Sequence, residues 1–116
     1  MLFLQYPKCT TCKKAKKWLE TNHIIVTERH IAQDRPSYEE LKQWHEKSGL
    51  PLKRFFNTSG LVYKEMQLKD KLPEMSEEEQ LKLLATNGML VKRPIIVDET
   101  GVLVGFKETE WEERLL

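Results

Sequence analysis

The sequence has almost no net charge: 19 lysines and arginines stand against 18 aspartates and glutamates, leaving a formal charge of +1. Bulk charge therefore points to no nucleic-acid or membrane partner. No apolar run is long enough to span a bilayer. The opening MLFLQYPKC lacks the charged lead-in of a signal peptide, so the expected location is the cytoplasm. No internal repeat or low-complexity segment occurs. Cysteine is scarce, with two in the chain, and in a compartment that keeps thiols reduced a structural disulfide is not expected of them. What remains is a chain of 116 residues, 40% hydrophobic and 32% charged, which suits one globular domain, residues 1–116, with one core.

The hydrophobic pattern divides the chain into three parts. LFLQY, ending at Pro7, reads as a buried strand. The helix after it places Cys12, Ala15, Trp18 and Leu19 on one face and Lys13, Lys14, Lys16 and Lys17 mostly on the other, and ends near Thr21 and Asn22. IIVTERHI reads as a second strand, which makes a βαβ unit with parallel strands. Residues 32–90 read as helical. Ser37 with Glu40 and Ser76 with Glu79 form capping boxes, Gly49 and Gly88 are helix stops, and a short turn is expected around Phe55 and Phe56. RPIIVDETGVLVGF returns to two strands around a turn. Thr109 is the expected cap of a last helix, with Trp111 and Leu115 facing in. The fold class is α/β. The order βαβ, helices, ββα, with Cys-x-x-Cys after the first strand, is the layout of a thioredoxin-like fold carrying a helical insertion in mid-chain.

Both cysteines lie in YPKCTTCKKAKKWLE. The thiolate is the nucleophile, and an ordinary cysteine has a pKa near ~8.5. Cys9 precedes the first helical turn, where free backbone N–H groups and the helix dipole favour an anion. Lys8, Lys13 and Lys14 are near in sequence. Cys12 lies one turn further in, on the apolar face. An exposed, acidified Cys9 and a sheltered Cys12 are what a dithiol couple needs. Two other readings compete. Zinc takes about four ligands; the pair supplies two, and His23, His30 and His45 contain no His-x₃₋₅-His spacing, so no metal is expected. Inert core thiols are the second, against which stands the place of Cys9 at a helix mouth. The lysines read as a solvated helix face without interleaved aromatics.

Arg93-Pro94 is the other informative spot. A thioredoxin-like sheet has a proline, with a cis peptide bond, leading into the strand beside the cysteines, and Pro94 before IIV fits that place. Arg93 then lies near the thiol with a planar fork suited to an oxyanion. The alternative is a surface arginine that precedes a turn.

YPKCTTCKKAKKWLE followed far downstream by RPIIVDETGVLVGF resembles the glutaredoxin-dependent arsenate reductase family, which includes the Spx-type regulators. The resemblance covers essentially the whole chain. It implies a thioredoxin-like fold and a catalytic or redox-sensing Cys9. In the reductases, the cysteine matching Cys9 attacks arsenate, arginines hold the arsenate oxygens, and glutathione with glutaredoxin completes the reduction. Arg93 matches one of those arginines. Lys107 in VGFKETE stands where another falls, keeping the charge but losing the bidentate fork. A third falls near Ser59 in FFNTSGLVY, which has none; Arg54 is the arginine nearby.

The reductases' usual motif has no counterpart of Cys12; the presence of Cys12 here, a departure from that motif, suggests an internal Cys9–Cys12 disulfide that resolves the adduct. The backbone N–H groups of Thr10, Thr11 and Cys12 complete the anion cradle. The sequence thus reads as an arsenate reductase-like thiol–disulfide oxidoreductase acting on arsenate or another oxyanion. It needs no cofactor, draws electrons from glutathione or a thioredoxin- or glutaredoxin-type protein, and is by default a monomer. The alternative is a redox-sensing transcriptional regulator. Cys9-x-x-Cys12 also matches the disulfide switch of the Spx-type members, which bind the C-terminal domain of the RNA polymerase α subunit. Gly49 falls near the glycine that this contact needs.

Overall fold

The computed structural model describes all of residues 1–116. Four strands form one sheet in the order β2-β1-β3-β4, with β1 at Leu2–Gln5, β2 at Thr27–His30, β3 at Ile95–Asp98 and β4 at Gly101–Val104. β1 runs parallel to β2 and antiparallel to β3, and β3 and β4 make a hairpin. Six α-helices complete the chain: α1 (Thr10–Thr21), α2 (Tyr38–Ser48), α3 (Leu61–Glu65), α4 (Leu68–Lys71), α5 (Glu77–Thr86) and α6 (Glu108–Leu115). The order is that of a thioredoxin-like fold, with α2 to α5 inserted between β2 and β3. No helix is long and apolar enough to cross a membrane.

Successive strand residues point to opposite faces, and the sheet uses both. Phe3 and its register partner Ile96 pack with Ala15, Trp18 and Leu19 of α1 and Trp111 of α6. Leu4 and its partner Ile95 face the other way, into a larger core shared with Leu41 and Trp44 of α2 and Leu81 and Leu84 of α5. The helical insertion therefore covers one face of the sheet, and α1 with α6 covers the other. Trp111 is fully buried, and its indole N–H donates to the Gly105 carbonyl at 3.1 Å.

The α1 face is as the periodicity predicts: Cys12, Ala15, Trp18 and Leu19 are its buried residues. Both capping boxes are present. Gly49 ends α2 in the left-handed region at φ +67°. Four expectations are corrected. β2 begins at Thr27, because Asn22 to Val26 form the exit from α1: the Ile24 N–H bonds back to the Leu19 carbonyl at 2.9 Å, and Ile25 is exposed. Phe56 leaves the 3₁₀ turn Leu52–Phe55 and pairs as an isolated bridge with Val91. Gly88 does not close α5, which ends at Thr86; it starts the 3₁₀ turn Gly88–Leu90 capped by Asn87. A Cβ on Gly88 would stand 1.9 Å from the Ile31 carbonyl oxygen, so the position needs glycine for close approach. Thr109 lies inside α6, whose N-cap position is Lys107 with no side-chain bond.

Candidate redox site

The site lies at the C-terminal end of β1. Pro7 and Lys8 turn the chain, and the turn closes with the Cys9 N–H on the Tyr6 carbonyl at 2.9 Å. Cys9 is extended (φ −83°, ψ 121°) and is itself the N-cap of α1. Its Sγ accepts the Cys12 N–H at 3.4 Å. A sulfur here takes the place of the oxygen of a serine or aspartate cap. Thr10 and Thr11, both exposed, are the first two residues of the helix, whose first-turn N–H groups have no carbonyl one turn back to bond.

The two sulfurs are not equivalent. Both are free thiols; Cys9 is half-buried and Cys12 is buried. Partial burial raises the Cys9 thiol, but the Cys12 N–H, the Cys12 side chain and the Arg93 guanidinium outweigh it and lower it below the ordinary value. Burial pushes Cys12 the other way, up to about 12, with a backbone bond from Tyr6 opposing and the neighbouring Cys9 adding to the rise. Of the two, Cys9 is the sulfur that ionises first, with the Cys12 thiol beside it as donor.

Arg93 is held in place rather than free. The Arg93-Pro94 peptide is cis, as the layout predicts. Nη1 of Arg93 donates to the Met89 carbonyl at 3.2 Å, and its guanidinium carbon lies 5.3 Å from the centroid of the Tyr6 ring. It is also the cation among the main causes that lower the Cys9 thiol. Pro94 is buried.

Lys107 is exposed at the head of α6, two residues beyond Gly105, whose N–H bonds the Pro94 carbonyl at 2.8 Å. Gly49 sits towards the opposite end of the sheet: Lys47, two residues earlier, bonds the carbonyl of Asp98 at the far end of β3 at 3.4 Å. No three of His, Cys, Asp and Glu converge as a metal-binding group.

Two residues escaped the sequence reading. Tyr6 touches Cys9 through its carbonyl, Cys12 through its backbone and Arg93 through its ring. His30, weighed only as a zinc ligand, stands edge-on to Tyr6 at 5.6 Å and lines a cleft beside Cys12. Nδ1 of His30 accepts the N–H groups of Ala32 and Gln33 at 3.2 and 3.0 Å, which leaves the proton on Nε2. The sequence signal for Tyr6 was its place directly before Pro-Lys-Cys; a strand end hides such a role.

A family model, that of the ArsC family, matches residues 4–114. The chain belongs to the ArsC family. Similar proteins include the uncharacterized protein YusI of Bacillus subtilis strain 168, 59% identical over 98% of this chain and 97% of that protein. The global transcriptional regulator Spx 1 of Bacillus cereus is 34% identical over 90% of this chain and 78% of its own length. The crystal structure of a possible arsenate reductase from Streptococcus mutans UA159 superposes with a TM-score of 0.87 at 39% identity, covering 96% of each chain. The ArsC-family chain thus has both reductase-like and regulator-like relatives.

Proposed function

We propose that this ArsC-family chain is a thiol–disulfide oxidoreductase in which Cys9 attacks and Cys12 resolves. The observation that carries the reading is the opposite shift of the two sulfurs: an acidified, half-buried Cys9 at the helix mouth and a buried Cys12 held up at about 12. A low-pKa, accessible thiol beside a sheltered one is the arrangement of a working couple.

With arsenate as oxyanion, the Cys9 thiolate displaces one oxygen, which leaves as water after protonation, and an S–As bond forms. Arg93 and the N–H groups of Thr10 and Thr11 face the anionic oxygens, with Lys107 the outer cation that the resemblance assigns. Cys12 then attacks the Cys9 sulfur. The S–As bond breaks with its electron pair going to arsenic, arsenite leaves, and the two cysteines form a disulfide. Two electrons pass from two thiols to arsenic. Glutathione or a thioredoxin- or glutaredoxin-type dithiol reduces the disulfide again. Resolution is timed in part by this bond: once Cys9 is bonded to arsenic it is no longer a thiolate and its contribution to raising Cys12 is lost, while burial, the larger cause, remains.

The test is a single-turnover thiol count. Fully reduced protein, freed of reductant, receives arsenate in one tube and a mild disulfide oxidant in another. Loss of both thiols with arsenate and release of arsenite supports the oxyanion reductase. Closure of the disulfide by the oxidant alone removes arsenate and leaves a general oxidoreductase. Failure of both removes the redox pair.

The identity to Spx 1 over 90% of the chain favours a second reading, a redox-sensing regulator. The resemblance assigns it RNA polymerase as partner, met through the C-terminal domain of the α subunit near the exposed Gly49. A pull-down with that isolated polymerase domain, in reduced and oxidised states, tests it; no capture in either state ends it.

A further inference from the structure

Three adjoining clefts run along the helical insertion, and cations line all of them. The first, about 360 Å³, is bounded by Lys53, Arg54 and Lys92 around Phe56, Thr58 and Pro51, with no acidic residue. It shares Lys53 with a second, about 160 Å³. That one shares Tyr63 and Lys69 with a third, about 320 Å³, which adds Lys64 and the groove's one acid, Asp70. Lys53, Arg54, Lys64, Lys69 and Lys92 take part in none of the chain's ion pairs.

The backbone forces this convergence. Leu52 and Phe55 anchor the 3₁₀ turn in the core, so Lys53 and Arg54 between them turn outward. The Lys92 N–H bonds the Phe55 carbonyl and the Asn57 N–H bonds the Leu90 carbonyl, both at 2.8 Å, which fixes Lys92 beside that turn. Like charges brought together repel, and an anionic partner relieves this.

The first and third clefts also share Thr58, so the three adjoin one another, and five unpaired cations against one acid suit a partner with several carboxylates better than a single phosphate. The aromatics beneath it, Phe56 and Tyr63, are 1% and 5% exposed. They offer no free ring face for stacked bases, so the lining disfavours single-stranded nucleic acid and favours acidic side chains. One end of the groove is Lys92, adjacent in sequence to Arg93 at the redox site. We propose that this groove docks an acidic polypeptide segment of the protein that exchanges electrons with Cys9 and Cys12. The proposal rests on the redox reading for the identity of that protein, and on the groove alone for its chemistry.

Fluorescence anisotropy of a labelled Glu-rich peptide tests it, with the Gln-substituted peptide and a single-stranded oligodeoxynucleotide as comparison probes. The Glu-rich peptide should bind, weaken as salt rises, and lose at least about tenfold in affinity to the Lys53→Glu/Lys92→Glu protein. The Lys14→Glu/Lys17→Glu protein, with the same charge change on α1, should bind within about twofold of wild type. Equal loss in both proteins, binding of the Gln peptide as tight as that of the Glu peptide, or tighter binding of the oligonucleotide overturns the proposal. Should the charge reversals unfold the chain, Lys53→Gln/Lys92→Gln replaces them. Amide shifts on peptide addition should cluster at the insertion and at Lys92; clustering on α1 counts against the groove. Iodoacetamide alkylation of Cys9 in the wild-type protein reads the redox pair separately: an unreactive Cys9 sinks the oxidoreductase while leaving the peptide result intact.

Discussion

The guanidinium of Arg93 lies over the ring of Tyr6, 5.3 Å from carbon to centroid, and the same guanidinium lowers the pKa of the Cys9 thiol. Tyr6 also takes the Cys9 N–H on its carbonyl. One residue therefore fixes both partners of the thiolate–arginine pair, one through its backbone and the other through its ring. A cation over an aromatic face is worth about 0.5–2 kcal/mol. Tyr6→Leu keeps the backbone turn and removes the ring. The Cys9 pKa, read from the pH dependence of iodoacetamide alkylation, should rise, because the guanidinium that lowers it is no longer held by the ring. Tyr6→Phe keeps the ring and should track wild type. Superposable Leu and wild-type profiles would show that the ring does not place Arg93.

The coupling of the two thiols gives a second expectation. The Cys12 side chain is one of the groups that lower Cys9, and Cys9 is one of the groups that raise Cys12. Cys12→Ala removes the S–H donor and should raise the pKa of Cys9; Cys12→Ser keeps a hydroxyl donor and should raise it less. In Cys9→Ala, Cys12 should titrate below its wild-type value of about 12, with burial alone holding it up. Ultraviolet thiolate absorbance followed against pH reports all three. An unchanged Cys12 titration in Cys9→Ala would separate the two groups and remove the timing argument for resolution.

Gly88 and Gly49 read alike in the sequence, each a glycine after a capped helix, and the structure separates them. At Gly88 a methyl group would meet the Ile31 carbonyl oxygen at 1.9 Å and its carbon at 2.7 Å, and Ile31 is fully buried. Gly88→Ala must push backbone apart and should cost about 3 kcal/mol or more. At Gly49 a methyl group meets nothing within 4 Å, but φ is +67°. Gly49→Ala should cost about 1–2 kcal/mol, the usual left-handed penalty. Urea unfolding of the two variants ranks them; a reversed order would mean that the chain near Ile31 yields easily.

That pair shows where sequence reading stops. Local rules are visible in sequence, because both halves of a capping box lie three residues apart and a helix face repeats every turn. Ser37 with Glu40, Ser76 with Glu79, and the buried face of α1 all came out as expected. So did the place of Cys9, since strand, turn and helix mouth are consecutive. Contacts between distant segments leave no such mark. The approach of Ile31 to Gly88, the bridge of Phe56 with Val91 and the ring of Tyr6 under Arg93 each join residues dozens of positions apart. The lysines of α1 were the nearest cations in sequence to Cys9, yet Arg93, distant in sequence, is the cation among the main causes that lower it. The exit from α1 misled for a related reason: Ile24, Ile25 and Val26 are β-branched, but the bond of Ile24 back to Leu19 keeps them out of β2.

Arg29 of β2 holds Glu40 of α2 in a two-pronged pair, Nη1 to Oε2 at 2.6 Å and Nη2 to Oε1 at 2.8 Å. The bond from Arg29 is the main cause that brings the Glu40 carboxyl down to about 2; burial opposes it and the Ser37 N–H assists. A carboxylate lowered on folding stabilises the protein fully above its unfolded pKa, near 4.5, and loses that contribution as pH falls towards about 2. The Glu40 side chain is 36% exposed, so solvent screening reduces the nominal ~3 kcal/mol to about 1–2 kcal/mol. Glu40→Gln removes the charge and retains an oxygen for the Ser37 N–H, leaving the capping box formed. At pH 7 the variant should be less stable by about 1–2 kcal/mol. Between pH 4.5 and 2 the gap should close, because wild type loses what the variant never had. Urea midpoints across that range measure it. A gap that stays constant with pH would assign the loss to packing of the side chain, and the pair would then join β2 to α2 by shape rather than by charge.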